Sequence, residues 1–143
     1  MAKQQSKDEV VLAVEEKNKY DKEQLLTIFD TIMFEGEYRE DVLLKNKLKV
    51  TFRTRSAADT SAITSSLDEK KFNLMSSMQE YKALLCICYS ITTYNNKDIS
   101  TLSLEDKIKF IGKLPSVVVS ALSSALVEFD LKTEAALEEQ DAF

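Results

Sequence analysis

The chain has 143 residues, 44% hydrophobic and 30% charged, with a net charge of −5. That length fits one domain with a real core, and that charge repels nucleic acid and anionic membranes. Two Gly and one Pro argue against a loop-rich sandwich or barrel. The lack of any His removes the commonest general base and metal ligand, and with them most hydrolase and metalloenzyme chemistry.

Residues 1–9 are polar and read as a mobile end. Val10, Val11, Leu12 and Val14 form a short apolar run that fits a strand or a helical turn equally well. The opening MAKQQSKDEVVLAVEE has no apolar stretch of signal-peptide length and turns acidic too early for a transit peptide. Retention in the cytoplasm is the expectation. From Asp21 a helix is predicted: Asp21 and Gln24 stand at capping-box spacing, and Leu25, Leu26, Ile28, Phe29, Ile32 and Met33 follow at helical intervals. It should end near Phe34, with Gly36 as the stop.

The period then changes. Leu48, Val50 and Phe52 alternate with Lys47, Lys49, Thr51 and Arg53, a strand pattern. Tyr38, Val42 and Leu44 fit a partner strand, joined through a turn at Lys45-Asn46. Ser56 and Asp59 then mark the start of a short helix over 57–69.

A central helix over about 72–94 follows. Leu74, Met78, Tyr81, Leu85 and Cys88 form one stripe; Leu84, Ile87, Ile91 and Tyr94 form a second. So wide an apolar arc predicts a helix surrounded by other elements. Ser103 and Asp106 cap a further helix with Leu104, Ile108 and Ile111 on one face. Leu114-Pro115 breaks it and opens the last helix, where Val118, Leu122, Ala125, Leu126 and Phe129 align. The acidic end from about 138 to 143 is expected to fray.

The predicted fold class is α+β, predominantly helical: a small helical bundle around a central buried helix with one β-hairpin at about 38–54, in a single domain spanning 1–143. Its core residues are Leu74, Met78, Tyr81, Leu85, Cys88, Ile91, Val118, Leu122 and Phe129.

No residue pattern points to catalysis. Cys86 and Cys88, two apart on a helix, point to different sides and cannot pair with each other. They read as small buried hydrophobes and suit a reducing compartment. The Glu15-Glu16 and Glu138-Glu139 pairs splay apart on a wet surface. Serines 56, 61, 65, 66, 120, 123 and 124 have neither a His nor nucleophile-elbow glycines beside them. Tyr81, Tyr89 and Tyr94 read as core or core-edge aromatics. A non-enzyme without metal or cofactor is the expectation.

Charge is unevenly laid out. Between 39 and 55, six basic residues stand against Glu40 and Asp41, a local balance of +4. Residues 128–141 hold six acids against Lys132. Three readings are open: a solvated strand face with Lys guarding an edge; complementary surfaces, within one chain or between copies; and a phosphate-binding face. The residues proposed to meet a partner are Arg39, Lys47, Lys49, Arg53 and Arg55. Against phosphate, no aromatic interleaves with these cations and no Gly-rich loop lies nearby.

The order of parts carries a resemblance. A hairpin ending in VTFRTRSAADTSAI leads to MQEYKALLCICYSITTYNN and then to KFIGKLPSVVVSALSSALVEFD. Over roughly residues 38–131 this looks like small tail-module proteins of tailed bacteriophages, those labelled tail assembly chaperones or baseplate hub assembly proteins. The resemblance carries over no functional residue. It implies a non-enzymatic protein of phage morphogenesis in the host bacterial cytoplasm. Such a protein binds other tail or baseplate proteins as a chaperone, or stays in the virion tail as a small subunit, with homo-oligomer formation open and no nucleic acid or membrane partner. The alternative, from a different class, is a small regulatory binding domain whose basic hairpin face meets a phosphate-bearing ligand.

Overall fold

Helical and two-residue periods alternate along this chain, and a computed structural model describing residues 20–141 turns them into an α+β fold, predominantly helical. The expectations for residues 1–9, for Val10–Val14, for Glu15-Glu16 and for 142–143 lie outside the described residues. The described residues belong to two compact units. Residues 37–130 form one; residues before 37, together with those from 131 onward, form the other.

In the latter unit, α1 (Lys22–Glu35) begins where Asp21 accepts a hydrogen bond from the Glu23 N–H. It ends at Gly36, whose φ of 78° is the left-handed conformation that a helix stop requires. Leu25 and Ile28 are its buried residues, while Met33 and Phe34 are exposed.

The 37–130 unit starts with β1 (Arg39–Leu44) and β2 (Leu48–Arg53), the predicted hairpin. Their antiparallel register sets Glu40 opposite Phe52, Val42 opposite Val50 and Leu44 opposite Leu48 on the inner face. Arg39 opposite Arg53, Asp41 opposite Thr51 and Leu43 opposite Lys49 make the outer face. The side-chain period of two sorts them. Helix α2 (Ala57–Glu69) carries a complete capping box: the Ser56 hydroxyl accepts from the Asp59 N–H, and the Asp59 carboxylate accepts from the Ser56 N–H.

Helix α3 (Met75–Ser90) is shorter than the predicted 72–94. Leu74, predicted as core, is the extended N-cap residue and is 64% exposed, because it precedes the first helical turn. Met78 and Tyr81 are half-buried; Leu85 and Cys88 are fully buried. At the other end, Ile91–Tyr94 is strand β3, not helix, and it pairs through a tight turn with β4 (Lys97–Asp98).

The cause is local. Ile91, Thr92 and Thr93 are β-branched and favour a strand. Asn95 and Asn96 both take positive φ, 50° and 64°, as a two-residue hairpin demands. The sheet therefore has four antiparallel strands in the order β1-β2-β3-β4, and a second hairpin joins the predicted one. Opposite Thr51 and Phe52 the register shifts, leaving Thr92 as the extra residue of a bulge; its hydroxyl donates to the Thr51 carbonyl.

Ser103 caps α4 (Leu104–Gly112) by accepting from the Asp106 N–H. Pro115 then precedes α5 (Ser116–Asp141), and its carbonyl accepts from the Val118 and Val119 N–H groups. The core of this unit joins Val50, Phe52, Ile87, Cys88, Ile91, Ile99, Ile111, Leu122, Leu126 and Phe129. Ile91 is a core residue as predicted, although it reaches the core from the sheet; Val118 is half-buried against the cluster. Phe129 anchors one end, stacked at 7° on Tyr38 and tilted against Phe52, each at 6.0 Å between ring centroids.

Candidate functional site at the hairpin tip

The basic residues of the hairpin do not share one face. Arg39 and Arg53 lie directly opposite each other, a repulsive arrangement that the Glu37 carboxylate bridges at 2.6 Å to Arg39 and 3.5 Å to Arg53. Arg53 also meets Asp59 at 3.0 Å. Lys49 pairs with Asp41 at 3.4 Å, and the Thr51 hydroxyl donates to the same carboxylate at 2.6 Å. Thr51 first, then Lys49, hold the Asp41 carboxyl below its usual range. Arg55 turns away from the sheet's outer face. Its guanidinium donates to the Ser90 hydroxyl and to the Asp130 carboxylate, both at 2.8 Å, with only 19% of its side chain exposed.

Two cations are left over. Lys45 and Lys47, both exposed, make no ion pair with any described residue. They sit in the β1–β2 turn, where Lys45 and Asn46 take φ of 49° and 58° and the Lys47 N–H donates to the Leu44 carbonyl at 3.0 Å. Here the two lysines flank an apolar cleft of about 180 Å³. Its floor and walls are Leu44 and Leu48 from the hairpin and Val117, Val118 and Ala121 from the start of α5. Val117, in its wall, is 59% exposed. The space admits one large apolar side chain, and the lysines favour a carboxylate next to it.

Of the five residues proposed from sequence to meet a partner, only Lys47 lines this cleft; Val118, predicted as core, lines it too. Arg39, Lys49 and Arg53 form a self-neutralised outer sheet face, and Arg55 belongs to an internal network. Lys45, Leu44, Leu48, Val117 and Ala121 were missed. A signal existed for Val117: it lies opposite the Leu122, Leu126 and Phe129 stripe of the same helix and has no core to enter.

One further cation is buried. Lys107, on α4, has a relative exposure of 9%, and its ammonium donates to the Cys88 and Ile91 carbonyls, each at 3.4 Å. It thus supplies donors to the carbonyl end of α3 where the chain leaves the helix for β3. Burial first, and Arg53 second, lower its pKa. The adjacent Cys88 thiol is pushed up to about 12 by burial, with Lys107 opposing, which makes it an inert core group. Among the described residues, no group of three or more His, Cys, Asp or Glu side chains is gathered to hold a metal ion. Among them too, no helix is long and apolar enough to cross a membrane.

Comparison with known proteins finds no match for this chain among protein-family models, curated protein sequences or solved structures.

Proposed function

We propose that this chain is a non-enzymatic protein–protein interaction protein of phage tail or baseplate morphogenesis, an assembly chaperone or small virion subunit. One observation carries the interaction reading. In and beside the hairpin stand six cations; four are matched to carboxylates, and the two that pair with no carboxylate among the described residues flank an apolar cleft. A surface built this way takes an apolar protein segment bordered by acid. The phage assignment rests on the resemblance in element order, from the hairpin through α5.

The test is genetic. Deleting the gene from the tail module that encodes the chain should leave filled heads without complete tails in negative-stain micrographs. Wild-type protein supplied in trans should restore tails, and the Lys45→Glu/Lys47→Glu form should not. Normal tails in the deletion strain would overturn the reading.

A further inference from the structure

On α5, the face opposite the core presents Val117, Ser120, Ser124 and Val127 at spacings of three, four and three. All four are exposed, the two valines at 59% and 54%. That spacing is the seam of a two-helix pair, and over residues 117–127 its sequence, Val-Ser-Ser-Val, reads the same from either end; the exposed Leu131 extends the face one position beyond this stretch. A palindromic stripe is self-complementary under a two-fold axis that sets two copies of the helix antiparallel. Val117 then meets the partner's Val127, and Ser120 meets the partner's Ser124. The small serines let the helices approach closely at the middle.

Charge points the same way. At the Val117 end stand Lys45 and Lys47 beside the apolar cleft; next to Val127 stands the exposed Glu128, the first of the six acids in the second half of the helix. Parallel pairing would set lysine against lysine. Antiparallel pairing sets lysine against glutamate at both ends and opposes the two helix dipoles favourably.

We infer that the chain forms a symmetric dimer through antiparallel pairing of α5, with each copy's Val127 seated at the other's cleft and its Glu128 beside Lys45 and Lys47. This rests on reading the cleft as a protein-docking surface, and it names a second copy as what docks there. An isologous contact closes at two, so the dimer, not a filament, is the unit that enters assembly.

The full chain should sediment with an average mass that rises with concentration from the 16.2 kDa of one copy to twice that value and no further. Ser124→Glu, at an exposed helical position, should weaken association about tenfold or more with an unchanged circular dichroism spectrum; Val127→Asp should do the same. A Ser120→Cys chain mixed with a Ser124→Cys chain and oxidised should give a cross-link between positions 120 and 124 of different copies, mapped by peptide mass spectrometry. Three outcomes overturn the inference: a monomer up to about millimolar concentration, a range in which any specific pairing registers; growth beyond two copies; or a dimer indifferent to both α5 variants. The assembly reading fails separately. A monomeric protein whose deletion still abolishes tails removes the dimer alone, and a dimer whose deletion leaves tails intact removes the phage role alone.

Discussion

Leu85 is fully buried on α3 and shows how sharply single side chains matter here. Leu85→Ala removes buried methyl and methylene groups and leaves a cavity, an expected cost of about 2–5 kcal/mol in denaturant titration. Arg55 is a different kind of anchor. Its two 2.8 Å contacts reach Ser90, which is fully buried, and Asp130. Removing the guanidinium strips both of a charged partner, so Arg55→Ala should cost about 1–3 kcal/mol. Its effect on any partner must therefore be judged against a loss of fold stability. Asp59 gives the molecule a pH dependence. Burial works against its ionisation, but the Ser56 N–H and the Arg53 guanidinium outweigh that and hold its pKa below 3.8. A carboxylate with a depressed folded-state pKa stabilises the fold above its unfolded value and loses that contribution as pH falls through the folded one. Thermal stability should thus fall as pH drops below about 4, and Asp59→Asn should flatten that slope while lowering stability at neutral pH. An unchanged slope in the variant would place the acid sensitivity elsewhere.

At the scale of elements, the two turns with consecutive positive φ hold the sheet's geometry. In the β3–β4 turn, Asn96 has φ of 64°, a region that costs a β-branched residue about 1–2 kcal/mol and glycine nothing. Asn96→Val should lower the melting temperature, and Asn96→Gly should hold or raise it. This turn is also where the sequence was hardest to interpret. Positions 84, 87, 91 and 94 fall at helical spacing, so the apolar pattern alone extends α3 to Tyr94. Ile91 satisfies burial equally well from a strand, and periodicity cannot separate the two. The β-branched run and the Asn-Asn pair carry the distinction, through backbone preference and not through hydrophobicity. Elsewhere local chemistry was legible: the capping side chains of Asp21, Ser56 and Ser103, the ring of Pro115 and the left-handed Gly36 all bound helices where they predict. The cleft was not legible, because it depends on which lysines find carboxylates in space. Lys49 and Lys47 are equivalent in the alternating pattern, yet Lys49 has Asp41 beside it and Lys47 pairs with no carboxylate among the described residues.

Over the whole molecule, the same pairing sets how protein and phosphate would compete for the hairpin. A net charge of −5 sets a repulsive background for polyanions. A local balance of +4 could overcome it if six cations were available together. Four of them already face carboxylates at 2.6–3.4 Å, so a phosphate would have to displace Glu37, Asp41, Asp59 or Asp130 to recruit them. Of the six, Lys45 and Lys47 alone are without a carboxylate among the described residues and so remain to release counterions. Binding to duplex DNA through two contacts would have a log–log salt slope near −2, whereas six contacts would give about −5. With so few contacts on an acidic protein, the anisotropy of a labelled duplex should stay flat to about 100 µM protein at roughly 0.15 M salt, within the range where non-specific binders register. At low salt any residual binding should follow the shallow slope and vanish in Lys45→Glu/Lys47→Glu. A steep slope, or binding that survives that double reversal, would mean the paired arginines open to phosphate, and the regulatory-domain alternative would then displace the interaction reading.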